Sequence, residues 1–300
     1  MSVPAAYLAV VFVWSTTPLA VAWSSETVNP VVAAGARMAI AAAVGLIITT
    51  VMRLPIPWDR KSVGSYLYSV VSIFGGMLCT YLAIRYIPTG LVSVVFGLTP
   101  MMSGFLAQRL IGERPFTPLQ WLSFVLSLSG LGYIFLKGLQ LESHGVYGII
   151  LMLIAVFLFS YSGVMVKKQA AAVHPLPHTV AALALSVPLF VLAWWMLDST
   201  VPRVDFDSHS PWAILYLAIF GSLIGFGCYF YVLKHLSAAT TSLITLITPV
   251  FAMGLGHVLH GERFSSHQAI GALLIMGGLA LYFSGVRMPR ALKVASRDSL

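Results

Sequence analysis

The sequence predicts an all-α membrane protein: ten transmembrane helices arranged as two inverted five-helix repeats. Three observations lead there. Of 300 residues, 59% are hydrophobic and only 9% are charged, with a mean hydropathy of +0.92; that is too little polar surface to cover a soluble globule of this length. Apolar runs of about 20 residues, each long enough to cross a hydrocarbon core of about 30 Å as a helix, follow one another and leave no room for a soluble domain. The second half also repeats the first. When Pro100 is laid on Pro249, Ser93 falls on Ser242, Thr99 on Thr248 and Gly112-Glu113-Arg114 on Gly261-Glu262-Arg263. The same gapless register puts Gly76, Cys79 and Tyr133 on Gly225, Cys228 and Tyr282, which reads as a duplication. Long continuous runs point to helices rather than to the short alternating segments of a barrel.

Hydropathy places the spans at 3–23, 30–52, 63–85, 90–110 and 117–136, then at 145–165, 177–197, 211–233, 240–260 and 267–285. The first span has no basic stretch before it and is long enough for a full crossing, so it is read as a helix and not as a cleaved leader. The second carries Pro30 and Arg37, and a slightly shorter shift lays Pro30 on Pro177 and Trp14-Ser15 on Tyr161-Ser162; Arg37 then meets Ala184. Spans four and nine each hold a central proline and end at a Gly-Glu-Arg corner, which suits a helix cap. Span seven ends in Trp194 and Trp195, as an interfacial belt would. Gly221 and Gly225 in span eight, Gly130 and Gly132 in span five, and Gly277 and Gly278 in span ten allow close helix contact. The repeats are bounded at 1–143 and 144–286, and 287–300 is a basic tail.

If the amino terminus is cytoplasmic, the inner connections and tail collect most of the basic residues, among them Arg53, Arg60, Lys61, Arg109, Arg114, Lys167, Lys168 and Lys234. Only Arg85, Lys137, Arg203 and Arg263 fall outside, so both termini are expected in the cytoplasm. An odd number of crossings per half makes the second half enter the bilayer inverted. Inverted halves around a midplane site are the recurring build of secondary transporters. The +8 net charge follows from this topology and does not indicate a nucleic-acid partner.

Pro100 and Pro249 each remove a helical hydrogen bond and loosen carbonyls about four residues back, which makes them candidate hinges. Either they flex, or each is a static kink satisfied by its own threonine. Thr99, Thr248, Ser93 and Ser242 bring hydroxyls to the same stretches; these bind a polar solute, or they close onto the carbonyl one turn back. Trp14 and Tyr161 lie halfway along their spans, away from interfacial belts, and with Tyr81, Phe96 and Phe230 they form a candidate aromatic lining; the alternative is ordinary filling between helices. Arg37 is the one basic residue well inside a span, read as a carboxylate partner or gate contact, or else as snorkelling to the surface. None of the nine acidic residues lies near a span centre, so a midplane carboxylate relay has no support. His257 and His260 lack the glutamate of an H-E-x-x-H zinc site, the two cysteines form no C-x-x-C pair, and no phosphate loop or nucleophile-base pair is visible. Neither a catalytic site, nor a metal, nor a cofactor is expected.

Trp14-Ser15, Pro30 with Arg37, and a mid-span proline followed by Gly-Glu-Arg in each half together resemble the EamA type of the drug/metabolite transporter superfamily, and the aromatic amino acid exporters within it. The resemblance implies export of amino acids, aromatic and other apolar ones, across a bacterial inner membrane by alternating access. It also implies a central cavity lined by spans one, three, four, six, eight and nine, on which Trp14, Tyr81, Ser93, Phe96, Tyr161, Phe230 and Ser242 would fall. Small solutes and membrane lipids are the implied partners. Efflux of flat organic cations is a second reading, and a non-transporting membrane scaffold is a reading of another class.

Overall fold

The computed structural model describes residues 2–113, 115–138, 143–169, 171–197, 205–236, 241, 244–261 and 265–285. Arg114, Ser242, Glu262, Arg263 and the 287–300 tail lie outside the described residues, as do the side chains of Lys137, Pro249 and His260. Among the described residues every regular element is helical, in ten rods. These are α1 (Val3–Ser24), α2 (Pro30–Val51), α3 (Arg60–Ala83), α4 (Thr89–Ile111), α5 (Pro118–Gly138), α6 (Ser143–Gln169), α7 (Pro175–Leu197), α8 (Ser210–His235), α9 (Ile244–His260) and α10 (Ser266–Gly285). Seven of them, α1 to α4 and α6 to α8, are long and apolar enough to cross a membrane.

Local chemistry sets the ends. Ser2 caps α1, and Asn29 accepts from the Val31 amide at 2.8 Å ahead of Pro30, a residue suited to a first helical turn. Asp59 caps α3 by accepting from the amides of Lys61 and Ser62. Hydrogen bonds from Ser62, first from its hydroxyl and then from its amide, hold the Asp59 carboxyl below its usual range. At the Gly-Glu-Arg corner α4 stops on Gly112 with φ of 70°, and Gly261 after α9 has φ of 67°. The left-handed region costs any residue with a Cβ. Gly112→Ala is therefore expected to destabilise the protein by about 1 kcal/mol, read as a lower thermal midpoint in detergent, since a Cβ there would touch nothing and only backbone strain is at stake.

Two features depart from straight α-helices. α3 contains a π-helical segment at Val71–Gly76 and α8 one at Leu217–Ile224; one-residue insertions of this kind often accompany functional sites. α4 is interrupted at Gly97 and Leu98, whose amides reach back to the carbonyls of Val94 and Val95, and Pro100 opens the second segment as a first-turn residue. The carbonyl that Pro100 leaves without its usual donor belongs to Phe96, and it accepts the Thr99 hydroxyl at 2.6 Å.

In the bundle α5 lies along α10, and α2 along α7. α1 packs on α8 and α9, and α6 packs on α3 and α4. α2 meets α8, α7 meets α3, and α4 meets α9. Exchanging the first five rods for the last five maps these pairings onto themselves. The largest buried cluster, with Ala34, Met38, Leu183 and Phe190 at its heart, joins α2 to α7.

Candidate functional site

A cavity of about 110 Å³ lies between α1, α3, α4, α6, α8 and α9. Trp14, Ser93, Phe96, Thr99 and Thr248 come together on its wall. Two ring pairs form its apolar faces: Trp14 with Tyr229 at 5.2 Å between centroids, and Phe96 with Phe159 at 5.3 Å, edge to face. Hydroxyls of Thr17, Thr80, Ser103 and Thr241 also border it. Several of these already have a helical acceptor, Thr17 on Val13, Thr80 on Gly76 and Ser93 on Thr89 at 2.8, 2.8 and 3.3 Å. Their oxygens still have lone pairs to offer. No acidic or basic side chain borders this cavity among the described residues.

The remaining residues that the sequence singles out sit elsewhere. Tyr161 pairs with Tyr68 and stacks on Phe157, an exposed residue, and its place on the wall is taken by Phe159 and Gly163. Phe230 turns from the cavity to a second crevice, where it packs on His178 at 4.6 Å, while its neighbour Tyr229 faces the cavity. Tyr81 is fully buried in the α2–α7 cluster with an unpartnered hydroxyl. Ser242 lies outside the described residues, and of Pro249 only the helical backbone is described. Arg37 does not snorkel. It is 0% exposed, and its Nε donates to the Ser222 hydroxyl at 2.7 Å.

Several wall residues are not among those the sequence singles out, Tyr229, Phe159 and Pro18 among them. Pro18 sits inside α1 and denies the Trp14 carbonyl its usual donor beside the cavity. A proline within an apolar run was its signal, but it has no counterpart in the second half.

The second crevice, of about 450 Å³, lies where α3 and α7 begin and α6 and α8 end, and Lys167, Lys234, His178 and Phe230 border it. Leu233 belongs to the walls of both spaces and separates them. Lys167 reaches Glu113 at 3.6 Å. At the opposite end of the bundle the α1–α2 connection is fastened to the start of α8. Thr27 donates its amide to the Ser210 hydroxyl at 3.1 Å, Ser210 donates to the Trp23 carbonyl at 2.8 Å, and Glu26 lies 3.6 Å from His209.

A bundle of membrane-length apolar helices around a cavity faced with rings and hydroxyls belongs to the class of membrane transport proteins. The chain belongs to the EamA-like transporter family, whose model matches it twice, over residues 2–136 and 146–284. It is 28% identical to protein PagO of Salmonella typhimurium over 96% of this chain and 95% of that one. It is 24% identical to a probable amino-acid metabolite efflux pump of Escherichia coli (96% and 97%), and 24% identical to the uncharacterized inner membrane transporter YedA of the same species (93% and 90%). Among the solved structures it is similar to is a crystal structure of a protein with a TM-score of 0.68 at 20% identity, over 94% of this chain and 97% of that one, which is a likeness of fold. The family is one of membrane transporters, acting on small molecules in a lipid setting and not as enzymes.

Proposed function

We propose that the protein is a secondary carrier that exports amino acids with aromatic and other apolar side chains across a bacterial inner membrane. The observation that carries this reading is the composition of the central cavity, where two aromatic pairs offer faces for a flat side chain and hydroxyls offer acceptors for an ammonium group. The relative in Escherichia coli that bears the name of an amino-acid metabolite efflux pump lends support. Transport runs by alternating access between two inverted halves, 1–143 and 144–286, with both termini in the cytoplasm. Support comes from the double match of the family model, the helix pairings that survive exchange of the halves, and the basic residues gathered at one set of ends. The break before Pro100, and Pro249 within the continuous helix α9, serve as hinges. In the conformation described, the basic crevice is the cytoplasmic entry, Leu233 is the inner barrier, and the contacts of Thr27 and Ser210 close the outer end.

Counterflow of labelled phenylalanine into proteoliposomes, with and without a pH gradient, tests this. Saturable exchange is expected in both conditions, because no acid lies within a helix among the described residues to couple protons. Failure of every apolar amino acid to exchange would remove the substrate assignment. One observation favours a second reading, efflux of flat organic cations: the cavity wall holds four rings and no carboxylate among the described residues, a composition that attracts cations by their faces. Inhibition of phenylalanine exchange by such a cation would place both solutes in one cavity.

A further inference from the structure

Arg37 brings a charged group into the bundle interior with no carboxylate to meet it. Among the described residues the acids are Glu26, Asp59, Glu113, Asp205 and Asp207, and all of them fall outside the bounds of the ten helices. What surrounds the guanidinium is neutral and soft. Nε donates to the Ser222 hydroxyl at 2.7 Å, and Nη1 faces the Met77 sulfur at 3.9 Å. Nη2 has no acceptor among the described residues. Ser222 in turn directs its own proton to the sulfur of Met38 at 3.7 Å. A thioether is a weak acceptor, and a buried cation matched so poorly is costly unless something else completes it. The guanidinium also sits close to Gly221, where an added Cβ would stand 2.9 Å from Nη2.

Met77 has a second face. It lines the central cavity, so its side chain stands between that cavity and Arg37. An unbranched thioether with three rotatable bonds can turn aside where a branched residue cannot. The backbone on either side has slack to allow it: Met77 directly follows the π-helical segment of α3, and Ser222 lies within that of α8. One turn beyond Met77, on the same helix, Tyr81 holds a second buried group without a partner, its hydroxyl.

We infer that Arg37, backed by Ser222, is a carboxylate site kept shut by Met77, whose sulfur stands in for the acceptor until a solute in the central cavity displaces it with its own carboxylate. This rests on the central cavity being the solute site. Rings then select the side chain, and the guanidinium selects the acid over its amide or amine.

The test is counterflow of phenylalanine, phenylalaninamide and phenethylamine by the wild type, Arg37→Met and Met77→Ala. Arg37→Met is expected to raise the half-saturating concentration of phenylalanine about tenfold or more, the loss of a charged hydrogen bond, and to leave that of the amide unchanged. Met77→Ala is expected to lower it for phenylalanine alone. Equal shifts for acid and amide in both variants would overturn the site. So would an amide flux that depends on chloride as strongly as the acid flux does, because the site would then hold a free anion. If none of the three solutes exchanges, the transport reading fails, and the carboxylate site is decided separately on the purified full-length protein in detergent. There benzoate should raise the thermal midpoint of the wild type, raise that of Met77→Ala further, and leave Arg37→Met unmoved, with benzamide inert throughout. Benzoate and benzamide acting alike would overturn it. Should Arg37→Met fail to fold, the comparison between the wild type and Met77→Ala decides.

Discussion

Trp14→Ala is expected to cut amino acid flux between about tenfold and a hundredfold, while Tyr161→Ala leaves it within about twofold of wild type. The first range follows from removing one ring contact and the apolar area that the indole would bury against a flat solute, together about 1.4 to 2.7 kcal/mol. The second follows from a ring whose neighbours, Tyr68 and Phe157, lie away from the cavity. Trp14 is also anchored within the protein, edge to face with Phe226 at 6.3 Å and tilted on Tyr229 at 5.2 Å. Its loss therefore loosens α1 against α8 as well, and flux must be normalised to folded protein recovered after gel filtration. Trp14→Phe separates the two effects, since it keeps an aromatic face in place and should restore most of the flux. Full flux from Trp14→Ala, or loss of flux from Tyr161→Ala equal to it, would move the solute site away from this cavity.

The contrast between Trp14 and Tyr161 also marks what was readable in the sequence. Helix positions were legible because about 20 apolar residues leave no other fold in a bilayer: the span read at 177–197 is the helix Pro175–Leu197, and that read at 30–52 is Pro30–Val51. Facing within a helix was harder. Phe159 and Gly163 are four apart and share one face of α6, so Tyr161, two residues from each, points nearly the opposite way. The shift that lays Pro100 on Pro249, carried back to α1, sets Trp14 on Gly163, a residue that does border the cavity. The shorter shift that pairs the two aromatics rests on their chemistry and not on their phase. The π-helical segments in α3 and α8 shift the phase again, and they need only one extra residue per turn, with no composition of their own to announce it. Arg37 was legible as an anomaly from its charge alone, whereas its sulfur neighbours Met77 and Met38 look in sequence like any other core methionine.

The largest stability loss is expected at the seam between α5 and α10, from the smallest possible substitution. Lipid offers two apolar helices no hydrophobic reason to join, so close packing and hydrogen bonds between them must do it. Here the backbones approach across glycines. A Cβ on Gly130 would stand 2.7 Å from the carbonyl oxygen of Gly271, and one on Gly271 would stand 2.8 Å from that of Gly130. On Gly278 it would meet the Ser127 hydroxyl and come within 2.8 Å of the Ser123 carbonyl oxygen. Backbone cannot step aside as a flexible side chain can. Gly278→Ala must therefore push the helices apart and weaken the bond from the Ser127 hydroxyl to the Ile275 carbonyl, now 3.3 Å long, for an expected loss of about 3 kcal/mol. Gly277→Ala, one residue away, is the control: a Cβ there meets nothing within 4 Å, and alanine's better helix propensity should leave stability unchanged or raise it by up to about 1 kcal/mol. Thermal midpoints of the two variants in the same detergent make the measurement. Neither α5 nor α10 contributes a residue to the cavity wall among the described residues, so the Gly278→Ala protein that survives purification should exchange solute at the wild-type rate per folded molecule. Equal midpoints for the two alanine variants would mean that the seam is looser than its geometry; a per-molecule rate that falls with the midpoint would mean that α5 and α10 move with the transport cycle instead of standing outside it as a fixed brace.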